Sequence, residues 1–108
     1  MTPTSEALDA GFRQYNVSQK YQGGLLRYIL QGIRPGSFLM ACLWNDLKSA
    51  VSRADLMTGI DDLRSVMQFL MWSAPRSCWG DEDAVENWVR IKTREAEAAR
   101  DQKERERQ

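Results

Sequence analysis

The positions of proline constrain this chain more than any other feature. Prolines occur only at positions 3, 35 and 75 of the 108 residues, so the stretches between them contain no proline to interrupt a helix. Apolar residues recur there at intervals of three and four, which is the period of an amphipathic helix. No alternating run of β-branched residues and no Asn-Gly hairpin signal competes with that pattern. The sequence therefore predicts an all-α domain.

Apolar spacing and turn residues predict four main helices after a weaker N-terminal one. Short loops join them, so the simplest arrangement is a small antiparallel helical bundle. Ser18 is the predicted N-cap of the second helix, and Gly32 is its predicted C-terminal stop. The predicted helices cover residues 5–14, 19–31, 37–54 and 60–75, and Thr58 or Gly59 starts the fourth of these. The last helix begins at residues 81–83.

Asn45 and Asp46 interrupt the apolar third helix. The predicted stripe of that helix consists of Leu39, Leu43, Leu47, Ala50, Val51 and Ala54. Asparagine and aspartate favour caps and turns, so both residues need partners inside a helix. Asp46 would accept hydrogen bonds from a loop amide or from an arginine such as Arg27 or Arg34, because buried polar groups are paired. Alternatively, the two residues form a polar notch that holds a ligand or a partner.

The last residues differ in composition from the rest of the chain. Residues 90–108 hold seven Lys or Arg and five Asp or Glu, and every apolar residue after Lys92 is an alanine. Such a segment cannot form a core. We therefore expect a helical domain over residues 1–92 and a charged, solvated tail over residues 93–108. The tail is either a helical extension with salt bridges or a frayed end.

Composition argues against most enzymes. The chain has no histidine, so it contains neither a Ser-His or Cys-His nucleophile nor an imidazole metal ligand. It also lacks a Gly-rich phosphate loop and a Gly-x-Ser-x-Gly nucleophile elbow. We therefore expect a non-enzymatic protein with no metal and no cofactor.

Balanced charge argues against nucleic acid as a partner. The 15 Lys and Arg are matched by 15 Asp and Glu, so the chain as a whole offers no positive field to a polyanion. The third and fourth predicted helices could form a helix-turn-helix. Asp61 and Asp62 would then stand where a recognition helix presents hydrogen-bond donors to the bases. We expect no nucleic acid partner.

Nothing in the sequence indicates secretion or a membrane. The first twelve residues lack the basic and apolar regions of a signal peptide. The longest apolar run, residues 38–44, has seven residues, against the roughly 20 that a bilayer requires. Cys42 and Cys78 are too few for a disulfide framework and are expected to be reduced thiols. We expect a cytoplasmic protein.

The turn formed by residues 34–37 is a candidate anion site. Proline and glycine form the turn, and Ser37 is the predicted N-cap of the third helix. Arg34 adds a guanidinium next to the free amides of that helix start, which together suit a phosphate or a carboxylate. Most helix starts of this kind are only caps. Gly36 belongs to this candidate site because its amide would face the anion.

The chain has more large side chains than a small core needs. Four tryptophans and several methionines exceed what a monomer of this size can bury, and exposed apolar patches mark interfaces. We therefore expect a homodimer or a face that binds a partner protein. The candidate interface residues are Trp44, Trp72, Met40 and Met71.

Residues 25–90 resemble a family of small proteins of tailed bacteriophages and prophages. The resemblance lies in a run from Tyr28 to Leu39 and in Asn45-Asp46-Leu47 after it. It continues in the later Cys78-Trp79-Gly80 turn. The family pattern is approximately Y-x-x-x-G-I-x-P-G-S-F-L, then N-D-L, then C-W-G. The resemblance implies an accessory phage protein that acts in the cytoplasm of the host cell.

By analogy with small phage proteins of this kind, we expect a non-enzymatic modulator of a host protein. The favoured role is a counter-defence inhibitor of the anti-CRISPR type. The alternative is a nucleotide sponge or sensor, in which Arg34 and the amides of residues 36–38 hold the phosphate. Tyr28 or Trp79 would then stack on the base. A structural or replication-accessory role in the phage is a second alternative.

Overall fold

The computed structural model describes residues 4–53 and 60–106. Within these ranges the chain forms six α-helices and one short 3₁₀ helix, with no strand, which confirms the all-α prediction. The helices are α1 (Ser5–Gln14), α2 (Gln19–Gln31), α3 (Ser37–Leu43), α4 (Leu47–Arg53), α5 (Ile60–Trp72) and α6 (Glu82–Glu106), and the 3₁₀ helix is Arg76–Cys78. The sequence predicted four main helices and a weak one, and their antiparallel packing stays a prediction.

Helices α1 and α2 begin and end where the sequence predicts. The side chain of Thr4 accepts a hydrogen bond from the Ala7 amide at 3.2 Å, and Ser18 caps α2 by accepting from the Lys20 amide at 3.4 Å. Gly32 ends α2 in the left-handed conformation, with φ at 71°.

The prediction of one continuous third helix over residues 37–54 is wrong, because the chain breaks after α3. Asn45 adopts a left-handed φ of 59°, which asparagine tolerates better than most residues. Asp46 then caps α4, since its carboxylate accepts from the Ser49 amide at 3.1 Å and from the Ser49 hydroxyl at 2.7 Å. Position 54 lies outside the described residues. Asn45 therefore follows the end of α3, and Asp46 precedes the start of α4.

The prediction that Ser37 caps α3 is also wrong. Gly36 occupies the N-cap position, its carbonyl accepts from the Met40 amide at 3.0 Å, and no side chain caps this end. The φ of −63° and ψ of 171° at Gly36 are accessible to any residue, and an added Cβ there would meet no atom within 4 Å. Ser37 is thus the first residue of the helix.

Helix α5 ends at Trp72, three residues before the predicted end, and its predicted start at Thr58 or Gly59 lies outside the described residues. Helix α6 begins as predicted, because Asp81 accepts from the Ala84 amide at 2.7 Å. It then continues as one helix to Glu106, and all side chains from 93 to 105 are exposed. No helix of the described ranges is long and apolar enough to cross a bilayer.

The core is built around α2 and α5. Leu25, Tyr28 and Ile29 of α2 are fully buried, as is Phe69 of α5, whose ring lies 4.5 Å from that of Phe12. Three hydrogen bonds tie α2 to the C-terminal half of the chain. The Tyr28 hydroxyl donates to the Cys78 carbonyl at 2.6 Å, and the Trp88 indole donates to the carbonyls of Tyr28 and Ile29, each at 3.2 Å. These bonds fix α6 and the 3₁₀ helix against α2.

Candidate functional site

A groove runs between α2 and the turn that leads into α3. It has a volume of about 400 Å³, and three cationic side chains line it: Lys20 and Arg27 from α2, and Arg34 from the turn. Gly36 and Ser37 line it as well, so the structure brings together the turn residues that the sequence singled out. We call this feature the basic groove.

Arg34 is paired with a carboxylate. Its guanidinium donates to the Glu86 carboxylate of α6 at 2.6 Å, and the two side chains are 51% and 52% exposed. An exposed pair of this kind contributes about 0–1 kcal/mol to stability. A guanidinium has five N–H donors, so the bond to Glu86 leaves others for a second acceptor.

Tyr28 is a core residue and does not reach the basic groove. Its ring is fully buried and its hydroxyl is bonded to Cys78, and burial, the largest cause, raises its pKa far above the ordinary value. The phenol therefore stays neutral and structural. Trp79 is partly buried against the core and does not line the groove either. The expectation that Tyr28 stacks on a bound base is wrong.

Asn45 and Asp46 line a second, smaller cleft between α4 and α5. The cleft has a volume of about 160 Å³ and is otherwise mostly apolar. The described residues around it are Cys42, Asn45, Asp46, Leu47, Ala50, Leu63 and Met67. Asp46 is expected to accept from a loop amide or an arginine, but the bonds that the structure describes come from the amide and hydroxyl of Ser49 within α4. The cleft beside it is mostly apolar rather than a polar notch.

Exposed apolar side chains lie on the two helices that form this cleft. Leu47 and Val51 of α4 are 66% and 59% exposed, and Met71 of α5 is 55% exposed. Residues four apart lie on one face of a helix, so Val51 follows Leu47 on α4, and Met71 follows Met67 on α5. We call Leu47, Val51, Met67 and Met71, with the cleft between them, the apolar surface.

The predicted interface residues divide into two groups. Trp72 and Met71 are exposed, Trp72 by 69%, whereas Trp44 and Met40 are partly buried against the core. The indole nitrogen of Trp44 is buried with no hydrogen-bond acceptor among the described residues. Leu47 and Val51 were expected to be buried, and the break at Asn45 explains the difference because it turns α4 away from the line of α3.

Neither cysteine is poised for chemistry. Cys42 and Cys78 are free and buried, and burial raises the pKa of each thiol to about 12. Both are protonated near neutral pH, whereas nucleophiles and metal ligands are thiolates. Among the described residues no cluster of three Cys, Asp or Glu could hold a metal ion.

The sequence did not single out Lys20 for the basic groove or Leu47, Val51 and Met67 for the apolar surface. The sequence indicates Arg27 as a partner for Asp46, and its spacing of seven from Lys20, about two turns of α2, is a usable signal that both lie on one face of that helix. The exposure of Leu47 has no such signal, because the apolar spacing predicts α3 and α4 as one helix.

Comparisons by sequence and by structure find no matching protein family, no similar curated protein and no similar solved structure.

Proposed function

We propose that this chain is a non-enzymatic binding protein that docks a helical segment of a partner protein on its apolar surface. The observations that support this most are the exposure of Leu47, Val51 and Met71 on α4 and α5 and the apolar cleft between these two helices. Contiguous exposed apolar patches mark binding sites more often than scattered single residues do. Fully burying one such side chain contributes about 1.5–3 kcal/mol, which gives the partner a reason to cover them.

The size of the cleft favours a single large side chain as its occupant. A cavity of about 150 Å³ in another protein binds benzene, and the cleft here has about 160 Å³. An amphipathic helix presents anchors at intervals of three and four residues, and one such anchor would fill the cleft. The flanking positions of the partner helix would then lie over Val51 and Met71. The flexible side chains of Met67 and Met71 adapt readily to such a ligand.

The resemblance to phage and prophage proteins extends this proposal to the identity of the partner. On that reading the partner is a host protein, the effect of binding is inhibition, and the favoured target is a component of host defence. The protein would act in the host cytoplasm. A structural or replication-accessory role has no observation in its favour here.

Purified components test the docking site. A partner captured from infected cells is identified, purified and titrated with the wild-type chain, with Leu47→Glu and with Ile91→Glu. Ile91 is an exposed apolar residue of α6, so its variant carries the same charge change outside the apolar surface. We expect Leu47→Glu to weaken binding at least tenfold and Ile91→Glu to leave it unchanged, with both circular dichroism spectra intact.

Two results would contradict the proposal. Equal loss or equal retention in both variants would mean that the partner binds elsewhere. A wild-type dimer in light scattering that Leu47→Glu dissociates would mean that the apolar surface is covered by a second copy of this chain instead of a different protein.

A further inference from the structure

We propose that the basic groove binds a small molecule that carries a phosphate group, of about the size of a mononucleotide. This is a second site on the molecule, and it does not depend on the apolar surface. Three positive side chains, Lys20, Arg27 and Arg34, line a groove of about 400 Å³. That volume lies at the small end of the range of roughly 300–1,000 Å³ for small-molecule sites.

The charge of the groove differs from that of the whole chain. The chain has a formal net charge of zero, yet none of the described residues that line the groove is acidic. Arg27 makes no ion pair within the ranges that the structure describes. A cleft lined by charge of one sign attracts small ligands of the opposite sign. Arginine is well suited to this role because its planar fork binds two phosphate oxygens at once.

Two adjacent glycines shape the wall of the groove on α2. An added Cβ at Gly23 would lie 3.1 Å from the Arg27 guanidinium, so the missing side chain leaves room for Arg27 to lie along the helix. An added Cβ at Gly24 would lie 3.0 Å from Leu39, so that glycine lets α3 approach α2. Glycine weakens a helix interior, and these two glycines of α2 lie beside the groove.

The groove also offers contacts for the uncharged part of such a ligand. Ile33 is exposed at its edge, and Pro35 lies beside it, so a planar ring has an apolar wall to pack on. Ser37 adds an exposed hydroxyl that can donate to a phosphate oxygen. A free phosphate would use only the cations and the hydroxyl, whereas a nucleotide would use the apolar wall as well.

Glu86 competes for the same guanidinium. Its carboxylate accepts from Arg34 at 2.6 Å, at the edge of the groove, and the pair is half exposed to solvent. A ligand phosphate would have to share Arg34 with this carboxylate. Removing the charge of Glu86 should therefore strengthen phosphate binding, which is the opposite of what loss of an ordinary structural ion pair would do.

Calorimetric titration of the full chain with AMP, adenosine and inorganic phosphate tests the proposal. We expect AMP to bind more tightly than phosphate and adenosine to bind far more weakly than AMP. Added salt should weaken the binding of AMP. Arg27→Gln and Arg34→Gln should each weaken the binding of AMP at least tenfold. Glu86→Gln should strengthen the binding of AMP. Arg105→Gln, which removes the same charge near the far end of α6, should leave it unchanged.

Four outcomes would overturn the inference. The first is that the wild-type chain does not bind AMP at millimolar concentration, and the second is that AMP and adenosine bind equally. The third is that Arg27→Gln and Arg105→Gln weaken the binding of AMP equally. The fourth is that inorganic phosphate binds as tightly as AMP. The last would assign the groove to free phosphate instead of a nucleotide. None of these results bears on the apolar surface, so the two proposals fail separately.

Discussion

Asp46 shows how one side chain decides the course of the backbone. Its carboxylate accepts hydrogen bonds from the amide and the hydroxyl of Ser49, and α4 begins at the next residue, Leu47. Asn45, just before it, takes the left-handed conformation that turns the chain. The two residues together convert what the apolar spacing indicates as one helix into two. The exposure of Leu47 and Val51 follows from that turn.

Ser37 and Asp46, which stand at the starts of α3 and α4, should respond differently to substitution by alanine. Asp46→Ala should lower the free energy of unfolding by about 1 kcal/mol, because an N-cap bond to the helix is lost. Ser37→Ala should change it by less than about 0.5 kcal/mol, because Ser37 makes no cap bond. Urea denaturation of the two variants measures both values. The reverse order would place the cap at Ser37 after all.

The buried thiols should make the fold sensitive to alkali. Burial raises the pKa of Cys42 and Cys78 to about 12 from an ordinary value of 9.0, so the unfolded chain loses these protons first. Their contribution to stability is complete below about pH 9 and is lost as the pH rises toward 12. We expect a lower urea midpoint at about pH 10.5 than at about pH 8. A variant with both cysteines replaced by alanine is the control, and an equal drop in that variant would assign the effect to other groups.

At the scale of elements, the contact of α2 with α6 depends on one glycine. An added Cβ at Gly32 would lie 2.6 Å from the Cβ of Lys92, and the φ of 71° already disfavours any other residue. Lys92 itself is buried, with its ammonium 4.9 Å from the Trp88 ring centre and 3.1 Å from the Glu95 carboxylate. The end of α2 therefore sets where α6 lies.

Gly32→Ala should destabilise the protein by at least about 1–2 kcal/mol, the cost of the left-handed conformation alone. The close approach to Lys92 adds to that value. Gly36→Ala is the matched control, since its φ is negative and no atom lies within 4 Å of the added Cβ. Its effect should be clearly smaller in the same thermal or urea denaturation. Equal effects would contradict the contact between α2 and α6.

Some elements of the fold can be predicted from the sequence and others cannot. Caps and turns predicted α1, α2 and the start of α6, because hydrogen bonds among neighbouring residues decide them. The split of the third helix is not predicted because the apolar spacing continues through Asn45, although Asn45 and Asp46 are both residues that favour caps and turns. The basic groove and the apolar surface depend on how helices meet. Spacing along one helix, such as the seven residues between Lys20 and Arg27, places side chains on one face but does not say which element that face meets.

At the scale of the whole molecule, the length of α6 makes the protein elongated. The radius of gyration is 15.0 Å and the principal extents are 53, 27 and 23 Å. A compact domain of this length has a radius of about 13 Å. Residues 93–106, whose described side chains are all exposed, rise about 1.5 Å each and so extend roughly 20 Å. Such a polar segment adds length without adding core.

Ending the chain after Ala96, which keeps the Glu95 carboxylate that the buried Lys92 ammonium contacts, should therefore leave the body intact. We expect the free energy of unfolding to change by less than about 0.5 kcal/mol, the usual range for surface changes. The radius of gyration from X-ray scattering should fall toward about 12 Å. A large loss of stability would mean that the helix packs against the body or against another molecule.

The same projecting helix offers a place to hold the protein without covering either proposed site. Both natural cysteines are buried, so Arg105→Cys would introduce the single accessible thiol among the described positions. A fluorophore or a surface coupled there would lie roughly 20 Å along α6 from Lys92. Every molecule in the sample would then be oriented in the same way, with the helix as its tether.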